Sequence, residues 1–238
     1  MTTPTTMDNA TRRRETVRWA VKIFASLLIY GGIIFLSAGR LTWTGGWIFL
    51  GVSALLQLLS GIVLLARQSD LLAERAQVRA GTKSWDRLLA PLVALIGPLA
   101  IVVVAGLDTR FAWSTPPGAV WQALSAVLAF GSGVFVLWAM TTNAFFSSTV
   151  RIQEERGHSV VNRGPYRIVR HPGYFGSVIF DLLAPLMLGS MWAYLPALLT
   201  IALIFVRTAL EDRTLHAELP GYAEYSASVR CRLIPGVW

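Results

Sequence analysis

The sequence predicts an all-α integral membrane protein with about six hydrophobic helices, four spanning and two in a C-terminal helical hairpin, with both termini cytoplasmic. Three observations predict it. Of the 238 residues, 54% are hydrophobic and 14% charged, against about 25% charged in an ordinary soluble domain. Uncharged runs cover 23–39, 41–66, 88–107, 111–150 and 182–206, and several exceed the roughly 20 apolar residues a helix needs to cross a bilayer. The third observation is where the basic residues fall. Of the 21 Lys and Arg residues, five lie in 12–22, five in 67–87, five in 151–170 and four from Arg207 onward, leaving Arg40 and Arg110 elsewhere. With six crossings, nearly all of this charge falls on the inner side, where positive residues orient membrane proteins and meet anionic lipid headgroups. The net charge of +8 is therefore an orientation signal, and no nucleic-acid partner is expected.

Taken in order, residues 1–16 are polar, Thr-rich and expected to be disordered. An uncleaved first helix covers about 17–38, since its apolar run is too long for a signal peptide. A short turn at Trp43, Gly45 and Gly46 leads to a second helix over about 45–66. The mixed segment 67–87 reads as an interfacial amphipathic stretch. Helix 3 is expected over about 88–106; Pro116 and Pro117 break the following loop, and helix 4 runs over about 119–140. Gly131, Ser132 and Gly133 sit inside that apolar helix and read as packing residues, since no strand precedes them. The four-helix region thus spans 17–140. The remainder, 141–238, holds a polar insert over 141–171, about 35 apolar residues over 172–206 and a polar end over 211–238. At 1.5 Å per residue, 172–206 barely makes two crossings around a turn near 189–193.

The chemistry-bearing residues gather in those two polar segments. The insert reads SSTVRIQEERGHSVVNRGPYRIVRHPGYFG. Gly164-Pro165 and His171-Pro172 force turns and restrict the residues before them. Between them, Tyr166, Arg167, Arg170, His171 and Tyr174 assemble two aromatic faces, two guanidiniums and an imidazole. Such a group suits an anionic or aromatic ligand, and equally an interfacial belt that anchors helix ends. Pro172 is well placed to open a helix. In the second segment, Arg207 closes an uncharged run, where an ionisable side chain is costly unless it meets protein, water or ligand. Glu211 lies one turn further on the same face. An Arg207–Glu211 pair within the helix, or snorkelling of Arg207 to the interface, is the plainer alternative. Asp181 sits between Phe180 and Leu182, and a helix-packing role stands beside a functional one. Cys231 is the single cysteine, so no internal disulfide forms, and His158, His171 and His216 lack metal-ligand spacing. No metal site is expected.

The string GPYRIVRHPGY, followed by Arg207, the acidic pair Glu211-Asp212, spaced tyrosines and the ending RLIPGVW, resembles the isoprenylcysteine carboxyl methyltransferase and phospholipid methyltransferase family. The resemblance covers roughly 141–238; residues 1–140 match only in hydrophobic pattern. It implies a membrane enzyme that transfers a methyl group from S-adenosylmethionine to a lipidic or prenylated acceptor, a carboxylate by preference, at the cytoplasmic leaflet. It implies cofactor contacts at His158, Ser159, Val160 and Val161, at Tyr166, at His171, Pro172, Gly173 and Tyr174, and at Glu211. Arg207 matches the residue attributed to substrate and catalysis. Gln153 is the nearest counterpart of an upstream cofactor-binding Gln, at a different spacing from His158. The second acid of the family is usually Glu, and Asp212 departs from it. Two alternatives stay open: a membrane reductase of sterol-reductase type using a nicotinamide cofactor, and a non-enzymatic transporter or assembly protein. Oligomeric state and acceptor identity are not encoded in any motif.

Overall fold

The structure, a computed structural model, describes residues 9–67 and 81–238. Seven α-helices make up the described chain, and no strand occurs among these residues. They are α1 (Asn9–Ala38), α2 (Thr44–Arg67), α3 (Asp86–Phe111), α4 (Ala119–Thr142), α5 (Pro172–Leu188), α6 (Tyr194–Glu218) and the short α7 (Tyr222–Ser228). The order follows the expected one, with three differences. First, α1 begins at Asn9, so the tail expected to be disordered over 1–16 is helical from Asn9 onward. The segment 10–16, ATRRRET, is rich in Ala, Arg and Glu, which favour helix. Secondly, α6 carries on through the polar residues 211–218. Thirdly, α7 was not foreseen. The amphipathic stretch expected over 67–87 falls mostly at 68–80, outside the described residues.

Among the described residues, four helices are long and apolar enough to cross a membrane: Thr44–Leu65 within α2, then α3, α4 and α6. These are not the first four helices. The apolar part of α1, Ile23–Ala38, and the whole of α5 are shorter. The 17 residues of α5 rise only about 25 Å, against a hydrocarbon core of about 30 Å. Its length is cut by the turn at its end. Gly189 adopts a left-handed φ of 78°, Ser190 N–H donates to the Pro185 carbonyl at 2.9 Å and Gly189 N–H to Leu186 at 3.1 Å. This is a Schellman closure, and it places the hairpin turn where the sequence predicted it.

Long-range contacts fix the bundle's two ends. At one end, Trp43 Nε1 donates to the Leu188 carbonyl (3.2 Å). Beside it, Asp108 accepts from Ser114 N–H (2.8 Å), Ser114 Oγ (2.6 Å) and Ser190 Oγ (2.5 Å). A core of Ile34, Ile101, Val102, Ala129, Met187 and Leu188 fills the space behind these contacts. In the middle, α4 and α5 approach closely: a Cβ on Gly176 would strike the Val136 side chain and the Ser132 carbonyl. Gly133 faces the Leu56 side chain, so of the two glycines in the 131–133 triplet this one packs; Gly131 faces open space.

α3 is not a uniform helix. Pro91 lies inside it, and the next turn, Leu92–Ile96, is π-helical before the helix resumes at Gly97. Proline lacks an N–H and crowds the preceding turn, and a π-turn accommodates the misfit. Gly97 then lets α3 approach the Thr200 side chain of α6. The distorted stretch leaves Val93, Ala94 and Pro98 lining a cavity that reaches the opposite end of the bundle.

Candidate active site

The polar insert and the C-terminal segment meet at that second end and interlock through their backbones. Arg170 N–H donates to the Cys231 carbonyl (3.0 Å) and His171 N–H to Arg232 (2.9 Å). Tyr225 donates its hydroxyl to the Tyr166 carbonyl at 2.7 Å. The Arg170 guanidinium adds Nη1 bonds to the carbonyls of Val229 (2.9 Å) and Arg230 (3.1 Å). The turns that bring this about are those read from proline and glycine. Gly164–Arg167 is a 3₁₀ turn with Gly164 at φ 58°, and Pro172 opens α5 directly after His171, whose backbone is not helical.

Asp212 is the hub of the interlock, with 1% of its surface exposed. Arg170 grips it through Nε–Oδ1 (2.8 Å) and Nη2–Oδ2 (2.9 Å), and Arg232 Nε donates to Oδ2 at 2.8 Å. Tyr222 donates to Oδ1 (2.8 Å), and His171 Nε2 lies 3.2 Å from the same oxygen. Two-pronged guanidinium–carboxylate contact gives direction as well as attraction. A carboxyl with these four side chains has no capacity left for a ligand. The departure from Glu at this position therefore falls on a structural residue.

A second buried pair stands beside it. Asp86, fully buried, accepts from Arg207 Nε at 2.7 Å and Nη2 at 3.1 Å, and from Val150 N–H at 2.6 Å. Arg207 Nη2 also donates to the Ser148 carbonyl (2.9 Å), and the guanidinium lies over the Tyr174 ring at 5.3 Å. Glu211 accepts the Tyr174 hydroxyl at 2.6 Å. The Arg207–Glu211 pair within one helix is thus replaced by long-range partners for both. Nη1 of Arg207 and Oε1 of Glu211 have no partner among the described residues.

These groups line one cavity of about 690 Å³, within the size range of small-molecule sites. Its polar end holds His158, Ser159, Val160, Val161, Tyr166, His171, Pro172, Gly173, Tyr174, Arg207 and Glu211. Of the aromatic and basic cluster read in the sequence, Arg167 stays outside, exposed, its Nε donating to the Asn162 carbonyl at 3.3 Å. The site residues that the resemblance implied share the cavity, with one exception. Gln153 does not line it. It is 1% exposed, donating from Nε2 to the Phe145 carbonyl (2.7 Å) and accepting from Arg156 Nη1 (2.5 Å). Both ends of its amide are occupied inside the loop, so Gln153 braces its neighbour. Its backbone N–H donates to His158 Nδ1 at 3.3 Å, which leaves the proton of the neutral ring on Nε2. Burial, then the Arg151 and Arg156 guanidiniums, depress the His158 pKa to about 4. The ring lies against Phe145, centroids 4.5 Å apart. Burial also raises the phenols of Tyr166, Tyr222 and Tyr225 above their ordinary value, so all three stay hydrogen-bond donors.

Sequence reasoning missed Asp86 and left Asp212, Tyr222 and Tyr225 without assigned roles. It read Arg170 as a ligand donor or an interfacial anchor, whereas the guanidinium is committed to Asp212 and to backbone carbonyls. Asp86 carried one signal: it is an acid at the brink of an uncharged run, the mirror of Arg207 at the end of another. The tyrosine spacing was visible, but its target, Asp212 and the Tyr166 carbonyl, was not.

Residues 124–217 match the model of the isoprenylcysteine carboxyl methyltransferase (ICMT) family. The matched segment is under half of the 238-residue chain. It takes in most of α4, the polar insert, α5 and nearly all of α6, and so every cavity residue named in the sequence. It stops short of Tyr222, Tyr225 and Arg232. No curated protein matches the chain. Over this segment the chain is similar to a family of methyltransferases, and four of its described helices are long and apolar enough to cross a membrane.

Proposed function

We propose that the protein is an S-adenosylmethionine-dependent methyltransferase that methylates a lipidic carboxylate at the cytoplasmic leaflet, crossing the membrane six times with both termini inside. The observation that carries this reading is the single cavity whose polar end joins His158, Tyr166, His171, Tyr174, Arg207 and Glu211 and whose other end lies among apolar helices. A polar methyl donor and an apolar acceptor need such a two-ended chamber.

The residues present fit that donor. S-adenosylmethionine supplies a methyl group already activated on a sulfonium. Around it, Glu211 Oε1 is available for an ammonium or hydroxyl donor, and His158 Nε2–H for an acceptor. Val160, Val161 and the aromatic faces offer an apolar seat for a base. Latching of Arg170 and Arg232 on Asp212 holds the two segments closed over the site and keeps water out. Arg207 serves the acceptor. Asp86 fixes its orientation and balances its charge, while Nη1 offers two N–H groups to a carboxylate oxygen, in a planar geometry Lys could not reproduce. A carboxylate is ionised at neutral pH and needs no base, and holding it in line accounts for on the order of 7–11 kcal/mol of barrier.

The test is transfer of a radiolabelled methyl group from S-adenosylmethionine on membranes containing the protein, with the organic-soluble product identified by mass. A base-labile methyl ester absent from the Arg207→Lys variant is expected. A labelled product stable to base points to another acceptor, and absence of any labelled lipid defeats the reading. Thermal protection by S-adenosylmethionine but not by a nicotinamide dinucleotide separates it from the reductase alternative.

A further inference from the structure

The cavity contains two polar groups at mid-helix depth that nothing at the polar end accounts for. Asp181 is on α5 and lines the same cavity as Tyr174 and Ser177. These three stand at i, i+3 and i+7, one stripe of the helix, and Asp181 lies two turns, about 10 Å, beyond Tyr174. It is 7% exposed and has neither a hydrogen bond nor an ion pair among the described residues. Ser177 does not serve it, because its hydroxyl donates back to the Gly173 carbonyl at 3.1 Å. Gln57, midway along α2, lines this cavity and an adjoining one of about 350 Å³. Its amide meets Ser26 Oγ at 2.9 Å, and that hydroxyl also lies 2.8 Å from the Ile23 carbonyl. Ser26 thus occupies one end of the amide, and at least one amide N–H is left without a partner among the described residues. The surrounding wall is apolar, from Leu56, Leu64, Val93, Val136 and Met140.

We propose that Asp181 and Gln57 form the binding point for a hydroxyl group carried on the acceptor lipid at a fixed distance from its methylated end. This rests on the methyltransferase reading and deepens it. A buried carboxyl and a half-buried amide each carry a penalty when desolvated without a partner. A hydroxyl satisfies both at once, donating to the carboxyl and accepting from the amide. An ammonium satisfies Asp181 alone, and an unsubstituted hydrocarbon chain satisfies neither. A site built to hydrogen-bond a substrate hydroxyl discriminates sharply against the analogue lacking it. The two residues therefore set which lipid is taken, while the polar end sets what is done to it.

The experiment uses the full-length protein in detergent with hexadecanoic acid and a positional series of its monohydroxylated forms as probes. Dissociation constants are measured for wild type, Asp181→Leu and Gln57→Leu, with S-adenosylmethionine binding to wild type measured in parallel. Wild type is expected to prefer one narrow range of hydroxyl positions over the plain acid by tenfold or more. Asp181→Leu is expected to erase that preference, and Gln57→Leu to reduce it. If Asp181→Leu does not fold, Asp181→Asn decides in its place, with the preference expected to fall at least threefold. No positional preference in wild type, or one undiminished in the Asp181 variant, overturns the proposal. If wild type binds S-adenosylmethionine and shows no preference, only the hydroxyl site falls. If it binds no S-adenosylmethionine, the methyltransferase reading falls, whatever the fatty acids do.

Discussion

Two buried guanidiniums at the site are held by acids far away in sequence: Arg207 by Asp86, 121 positions upstream, and Arg170 by Asp212, 42 positions downstream. Removing one partner of a buried pair strands a charge, at a cost of about 3–5 kcal/mol. Asp86→Ala is therefore expected to lower stability by about that amount and to abolish methyl transfer, as read by thermal unfolding in detergent and by the radiolabel assay. A variant that unfolds at the wild-type temperature contradicts the buried pair. His158 yields a pH prediction. Its pKa falls from 6.5 to about 4 on folding, so the folded state disfavours the proton that the unfolded chain accepts. Its contribution is constant above pH 6.5 and lost as pH drops toward about 4. His158→Asn should flatten that part of the stability profile, and a profile as steep as wild type over the window removes His158 from the account. The motif residues were readable because Gly, Pro, His and Tyr cluster in one short string. The grips on them were not, since Asp86 and Asp212 find their partners only through the fold.

At the scale of elements, the helix positions followed from uncharged runs and prolines, and the hairpin turn from Gly189 and its neighbours. What the runs could not reveal is where helices approach and where they open. Gly176 permits the contact of α4 with α5, because a side chain there would meet Val136 and the Ser132 backbone. Gly176→Val should cost on the order of 1–3 kcal/mol by overpacking, whereas Gly131→Val, facing open space, should cost far less. Equal midpoints for the two variants would contradict the packing described. The π-helical turn of α3 opens the cavity wall at Val93 and Ala94. Pro91 hinted at a break, though hydrophobicity alone reads the run as one smooth helix. The latch at Asp212 predicts that Asp212→Asn frees the C-terminal segment. Limited proteolysis should then cut within 229–238 faster than in wild type, and an unchanged cleavage rate would argue that the backbone bonds of Arg170 and His171 close the lid unaided.

Over the whole molecule, polarity is sorted by depth. Satisfied polar contacts tie the two ends, around Asp108 and around Asp212, and the unpartnered carboxyl of Asp181 lies between them in a mainly apolar chamber that it shares with Gln57 and Ser177. On the proposed topology, the polar end faces the cytoplasm, where the methyl donor is dissolved, and the apolar arm meets lipid. The most direct measurement is calorimetric titration of the purified protein with S-adenosylmethionine, for wild type beside Glu211→Ala and His171→Ala. Saturable one-to-one binding by wild type, weakened at least tenfold in both variants, is the predicted result. Absence of binding by wild type, or equal affinity in all three proteins, would contradict a methyl-donor site built where the two polar segments meet.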